Sequence, residues 1–166
     1  MSLSLSLEDD DQDKDNVLIS LTSLDNQLIQ FPVRYIKQIN VLCVAIQHEL
    51  HTQELSSEPL PIQVPVRDLQ QMYTYFATLE RYKQQPQKIL KPCPFADIYK
   101  CTSECEADFV NECWKNQEEF FSLIRSCNFL DCEPLYNLLL CKLQCIVKSY
   151  PLDMLHKIIK VNSNKN

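Results

Sequence analysis

Apolar and polar residues along this chain follow two rhythms in turn. From Val17 to Val33 they alternate: Val17, Ile19 and Leu21 fall on one side and Leu18, Ser20 and Thr22 on the other, then Ile29, Phe31 and Val33 repeat the pattern. A period of two is that of half-buried strands. The intervening "LDNQ" carries turn chemistry, so the stretch predicts a hairpin whose tight turn uses Asn26. Beyond it the period lengthens. Ile36, Ile39, Cys43, Ile46 and Leu50 recur at steps of 3, 4, 3 and 4, which is one face of a helix. Prolines in "SSEPLPIQVPV" end that helix, and Ile62, Val64 and Val66 predict a short edge strand. "RDLQQMYTYFATL" is helical again, with Leu69, Met72, Tyr73 and Phe76 together. Residues 81–107 are irregular and contain Pro86, Pro92 and Pro94, so they predict a long loop with one helical turn near 95–106. Four helices follow, near 107–112, 117–130, 134–148 and 151–160. Hairpin, helix, strand, helix, loop and helices make an α+β chain with a small three-stranded sheet.

Composition narrows what such a chain can do. Among 166 residues there is no glycine, so positive-φ positions fall to other residues and glycine-rich phosphate loops are excluded. A net charge of -6 argues against general nucleic-acid binding, which needs a lysine and arginine surplus. No apolar run is long enough to span a membrane. The acidic opening "MSLSLSLEDDDQDKD" has neither a basic start nor an adequate apolar stretch for a signal, which points to the cytoplasm, the nucleus or both. The expected organisation is a disordered acidic tail at 1–15, a main domain at 16–131 containing the loop 81–107, partner-binding helices at 132–161 and a tail at 162–166.

Candidate chemistry is sparse. No nucleophile, base and oxyanion arrangement is visible, so no catalytic residues are expected, and no cofactor or small-molecule substrate. His48 and His51 sit on the polar side of a helix end. Nine cysteines without a signal sequence read as reduced thiols acting as small buried hydrophobes. Cys93, Cys101, Cys105 and Cys113 form a sparse cluster with spacings of x7, x3 and x7, short of the tight knuckles that zinc sites prefer. It is the leading metal or redox candidate, ahead of a metal pair at His48 and His51, and is set below a protein-interaction role. Cys141 and Cys145, inside an apolar helix, read as core.

The last helices carry more apolar surface than a small sheet can cover. Leu135, Leu138, Leu139, Cys141, Leu143, Cys145, Ile146 and Val147 cover most of one helix, and Leu152, Met154, Leu155, Ile158 and Ile159 line the next. Either these helices cover one another or a partner completes them. At roughly 25 cal/mol per Å2, several hundred Å2 left in water would cost on the order of 10 kcal/mol.

Two stretches, "ISLTSLDNQLIQFPVRYIKQ" and "QEEFFSLIRSCNFLDCEPLYNLLLCKLQCIVKSYPLDMLHKII", resemble the Skp adaptors, the F-box-binding subunits of SCF-type cullin ubiquitin ligases, and their relative elongin C. "EPLPIQVPV" and "LQQMYTYFATLERYK" are similar to the family's middle strand and helix. Asn26 stands where the family has a turn glycine, and Ser126 and Cys127 replace a pair of alanines. The resemblance implies a BTB/POZ fold and a non-enzymatic adaptor. It implies that Asn128 and Phe129 face a cullin-like scaffold, with Met72 and Tyr75 beside them. It also implies that Leu135, Leu139, Leu143, Ile146, Leu152, Leu155 and Ile159 meet a helical F-box-like protein. Lysine at Ser126 or Asn128 is then expected to weaken the scaffold contact and spare folding. The unfamiliar cysteine-rich loop fits an alternative, a Skp-like structural subunit of another large assembly.

Overall fold

A computed structural model describes residues 15–52 and 58–159. The expected tails at 1–15 and 162–166 lie outside these residues but for Asp15, as do the side chains of His48, Leu50, His51 and His156. The described chain is α+β, with seven helices and a three-stranded mixed sheet. It divides into two compact units, Met1–Tyr73 and Thr74–Asn166.

In the first unit, β1 (Leu18–Thr22) and β2 (Leu28–Pro32) form the expected antiparallel hairpin, with Ser20 opposite Gln30. Asn26 takes φ 56°, the left-handed conformation that the missing glycine would have supplied. Ser23 closes the turn: its amide donates to the Gln27 carbonyl at 2.9 Å and its hydroxyl accepts from the Gln27 amide at 3.1 Å. The expected single helix after the hairpin is two pieces, α1 (Val33–Ile36) and α2 (Asn40–Thr52). The break re-aims the face, so that Leu42 is fully buried and Cys43 only half-buried.

The third strand is shorter and earlier than its alternation suggests. β3 is Leu60–Pro61, parallel to β1 and giving the order β2-β1-β3. Prolines remove the amide donors that would extend it. Ile62 and Val64 are buried as expected, and each makes one backbone bond to the end of the hairpin. Val66 instead begins α3 (Val66–Arg81). Leu21, Phe31, Val33, Ile36, Ile39, Leu42, Leu69 and Met72 are the fully buried core of this unit.

In the second unit, residues 82–97 are irregular and a single 3-10 turn, Ile98–Lys100, precedes α4 (Glu104–Trp114). α5 (Gln117–Leu130), α6 (Glu133–Ser149) and α7 (Leu152–Ile158) follow close to the expected bounds. Asn116 caps α5 by accepting from the Glu119 amide at 3.3 Å. Pro134 sits in the first turn of α6, where its missing amide costs nothing. α6 packs on both α4 and α5. Gln117 holds the end of α7 by donating to the Ile158 carbonyl at 2.6 Å.

Candidate functional site

The corner between α5 and α6 is set by Asp131. Its φ of 53° and ψ of 49° put it in the left-handed region, and its amide donates to the Asn128 carbonyl at 3.3 Å. The next amide, Cys132, returns to the Cys127 carbonyl at 2.9 Å, so two of the carbonyls in the last turn of α5 are satisfied. Ser126, Cys127 and Leu130 point inward, while Asn128 and Phe129 are exposed, Phe129 by 57%. The two exposed residues thus sit on a fixed helix end. Ser126 is 6% exposed, so a lysine there would enter the core rather than a contact surface.

Met72 and Tyr75 do not join that surface. They are 0% and 1% exposed, Met72 in the first unit and Tyr75 in the second. Tyr75 is drawn inward because a buried partner waits for it: its hydroxyl donates to Glu106 Oε1 at 2.8 Å.

The expected receptor face divides in two. Leu135, Leu139 and Ile146 are buried at 0%, 0% and 6%, closed off by the chain's own helices. The apolar surplus of α6 is therefore mostly met internally, the first of the two readings of that surplus. Leu143, Leu155 and Ile159 are half-buried, and Leu152 is 77% exposed. These four, with Met154 at 44%, Val147 at 52% and Tyr150 at 43%, are the apolar surface that the helical end leaves open.

A second centre lies within the same unit. The sulfurs of Cys93, Cys101, Cys141 and Cys145 all lie within 4.8 Å of one another. This changes the expected cysteine cluster: Cys93 and Cys101 belong to it, but Cys105 and Cys113 do not. Cys105 Sγ contacts Gln84 Oε1 at 3.1 Å, and Cys113 is half-buried elsewhere, its thiol pushed up by burial to about 12. Cys141 and Cys145, read from sequence as core, supply the other two sulfurs.

Each sulfur has an identifiable support. Cys141 and Cys145 are one turn apart on α6 and so share a face. Cys93 is fixed by its amide, which donates to Gln144 Oε1 at 2.7 Å, and by its carbonyl, which accepts from Lys148 Nζ. Cys101 follows the 3-10 turn, its amide donating to the Ile98 carbonyl at 2.9 Å. Burial pushes the Cys101 and Cys141 thiols up and takes Cys145 to about 12. At Cys93 burial acts the same way, but hydrogen bonds led by that from Cys101 outweigh it and hold the thiol low. Together the four form a soft, sulfur-only donor set.

The loop that brings Cys93 and Cys101 has little apolar burial to hold it, although Gln87, Ala96 and Tyr99 are hydrogen-bonded to Glu106, Ser149 and Asp108. From residue 82 to residue 100 only Cys93 and Ile98 are buried. Burying one isoleucine stabilises by about 1.5–3 kcal/mol, whereas fixing each residue's backbone costs about 1–2 kcal/mol. Sequence reasoning missed this pairing because it joins two segments far apart in the chain. The available signal was two cysteines on one face of a buried helix, together with two in a proline-rich loop too polar to pack by itself.

No protein-family model matches this chain, and no curated protein is significantly similar to it.

Proposed function

We propose that this chain is a non-enzymatic, Skp-like adaptor that bridges a cullin-type scaffold to F-box substrate receptors of a ubiquitin ligase. The observation that carries the reading is the exposed pair Asn128 and Phe129 on a helix end locked by Asp131. A large aromatic ring held in water at a rigid corner is an anchor for a protein partner, because aromatic side chains dominate the energy of such contacts. The antiparallel hairpin with a parallel third strand, ordered β2-β1-β3, is in keeping with a BTB/POZ-type sheet. Leu143, Leu152, Leu155 and Ile159 give the receptor a helical end to pack on. The mechanism is geometric: one corner holds the scaffold, the far helices hold the receptor, and the packed helices between fix their separation.

A second reading is favoured by the burial of Leu135, Leu139 and Ile146 within the chain itself. An F-box-like helix cannot pack on residues that are already covered. In that reading the chain is a structural subunit of a different assembly, and its contacts are Phe129 and α7.

Affinity capture of the tagged full chain from its own cells, beside a Phe129→Lys variant, separates the two. A cullin with several F-box proteins, the cullin lost in the variant, supports the adaptor. A single fixed set of partners without a cullin supports the structural subunit.

A further inference from the structure

We propose that Cys93, Cys101, Cys141 and Cys145 bind one zinc ion, which pins the 82–103 loop to α6 as a closed structural site. This inference is independent of the adaptor reading and stands on a different set of residues.

Geometry is the first argument. Tetrahedral zinc with Zn–S bonds of about 2.3 Å separates its sulfurs by about 3.8 Å. Cys93 and Cys145 are 3.9 Å apart, Cys101 and Cys145 3.9 Å, Cys93 and Cys141 3.3 Å, and Cys93 and Cys101 2.9 Å. The remaining pairs lie within 4.8 Å. Four sulfurs in mutual proximity have a common centre, which a chain of separate contacts would not need. Zinc is the assignment because four cysteine thiolates are a structural zinc donor set, and its filled d shell imposes no geometric preference of its own.

Burial is the second. Cys93, Cys141 and Cys145 are 1%, 1% and 3% exposed, and Cys101 is half-buried. Four protein thiolates leave no open coordination position, which is the mark of a structural rather than catalytic zinc. Binding displaces four thiol protons to solvent, fewer where a thiol is already ionised, and leaves a complex of charge minus two. No electron moves. Lys142 and Lys148 follow the two α6 ligands in sequence, and Lys148 already reaches the Cys93 carbonyl, so positive charge is at hand.

The third argument is what the loop lacks. Only Cys93 and Ile98 are buried from residue 82 to residue 100, and the backbone has little regular structure. Hydrogen bonds at Gln87, Ala96 and Tyr99 also hold the loop, but cysteines acting merely as small hydrophobes would add little against the cost of ordering it. A cross-link between loop and helix offsets it, as structural zinc sites do by joining folding to binding. A Cys93–Cys101 disulfide is the competing cross-link. It would tie the loop only to itself and would leave Cys141 and Cys145 without a role.

The test uses the intact chain, purified under reducing conditions and analysed for metals. A single zinc per chain is expected. Cys93→Ser and Cys145→Ser should each weaken zinc retention by at least about tenfold, while Cys105→Ser and Cys113→Ser should retain it. Should the first pair fail to fold, cobalt titration of the chelator-treated wild-type chain decides alone. Tetrathiolate binding gives intense visible ligand-field bands and a sulfur-to-cobalt charge-transfer band, both removed by added zinc. A folded, reduced chain that holds no zinc and gives no such bands overturns the proposal. So does iron in place of zinc, or a Cys93–Cys101 disulfide in the natively isolated protein.

Discussion

The Tyr75 hydroxyl donates to the buried carboxylate of Glu106 at 2.8 Å. Glu106 is 2% exposed and gathers other donors: the Ser103 hydroxyl at 2.9 Å, the Thr102 hydroxyl and the Gln87 amide at 3.4 Å. One carboxylate thus joins α3, the long loop and the start of α4. Buried charge is tolerated when several donors meet it. Tyr75→Phe removes the donor and leaves the acceptor, so it should cost about 1–3 kcal/mol. The check is a lower denaturant midpoint with an unchanged slope.

The same pair gives the fold an alkaline limit. Burial first, and the Glu106 charge second, push the Tyr75 pKa far above the ordinary tyrosine value. The folded state therefore prefers the neutral phenol. That stability is fully present below the unfolded tyrosine pKa of about 10 and is lost as pH rises beyond it. Melting temperature should fall above pH of about 10, and Tyr75→Phe should flatten that fall.

Asp131 holds a left-handed conformation at φ 53° without being glycine. For residues with a Cβ that region costs roughly 1–2 kcal/mol, less for Asp than for most. Asp131→Gly should stabilise the chain by up to about 1 kcal/mol, and Asp131→Val should destabilise it by more than about 1 kcal/mol. Thermal melts of the two variants, run together, test the sign of both effects.

Neighbouring lysine substitutions on α5 should behave in opposite ways. Ser126 is 6% exposed, so Ser126→Lys would bury a charge and cost about 3 kcal/mol or more. Asn128 is exposed near the helix C-terminus, where a cation is favoured, so Asn128→Lys should change stability by less than about 0.5 kcal/mol. Circular dichroism melts distinguish them, and only Asn128→Lys then serves as a probe of partner capture.

Much of the fold was legible wherever periodicity and local turn chemistry agree. The hairpin around Asn26 and the bounds of α5 and α6 follow from patterns within a dozen residues. β3 was misplaced because alternation at Ile62, Val64 and Val66 ignored what Pro59, Pro61 and Pro65 do to a ladder. The resemblance puts Tyr75 at the scaffold contact, but its burial is tied to Glu106, 31 residues away and not visible to any helical period. The thiol cluster failed for the same reason. Cys105 and Cys113 are nearer to Cys101 along the chain, yet the sulfurs that meet it come from α6. Helix faces can be read locally; which faces meet cannot.

The four thiols also differ in when they become available. Cys141 and Cys145 share one turn of a 17-residue helix, so α6 alone presents them as a two-toothed claw. Cys93 and Cys101 lie on a segment with little regular structure of its own. If zinc is the link, assembly has a built-in order: the helix loads first and the loop is recruited second. The availability of a metal ion, rather than the chain's own collapse, would then set how quickly this half of the molecule matures.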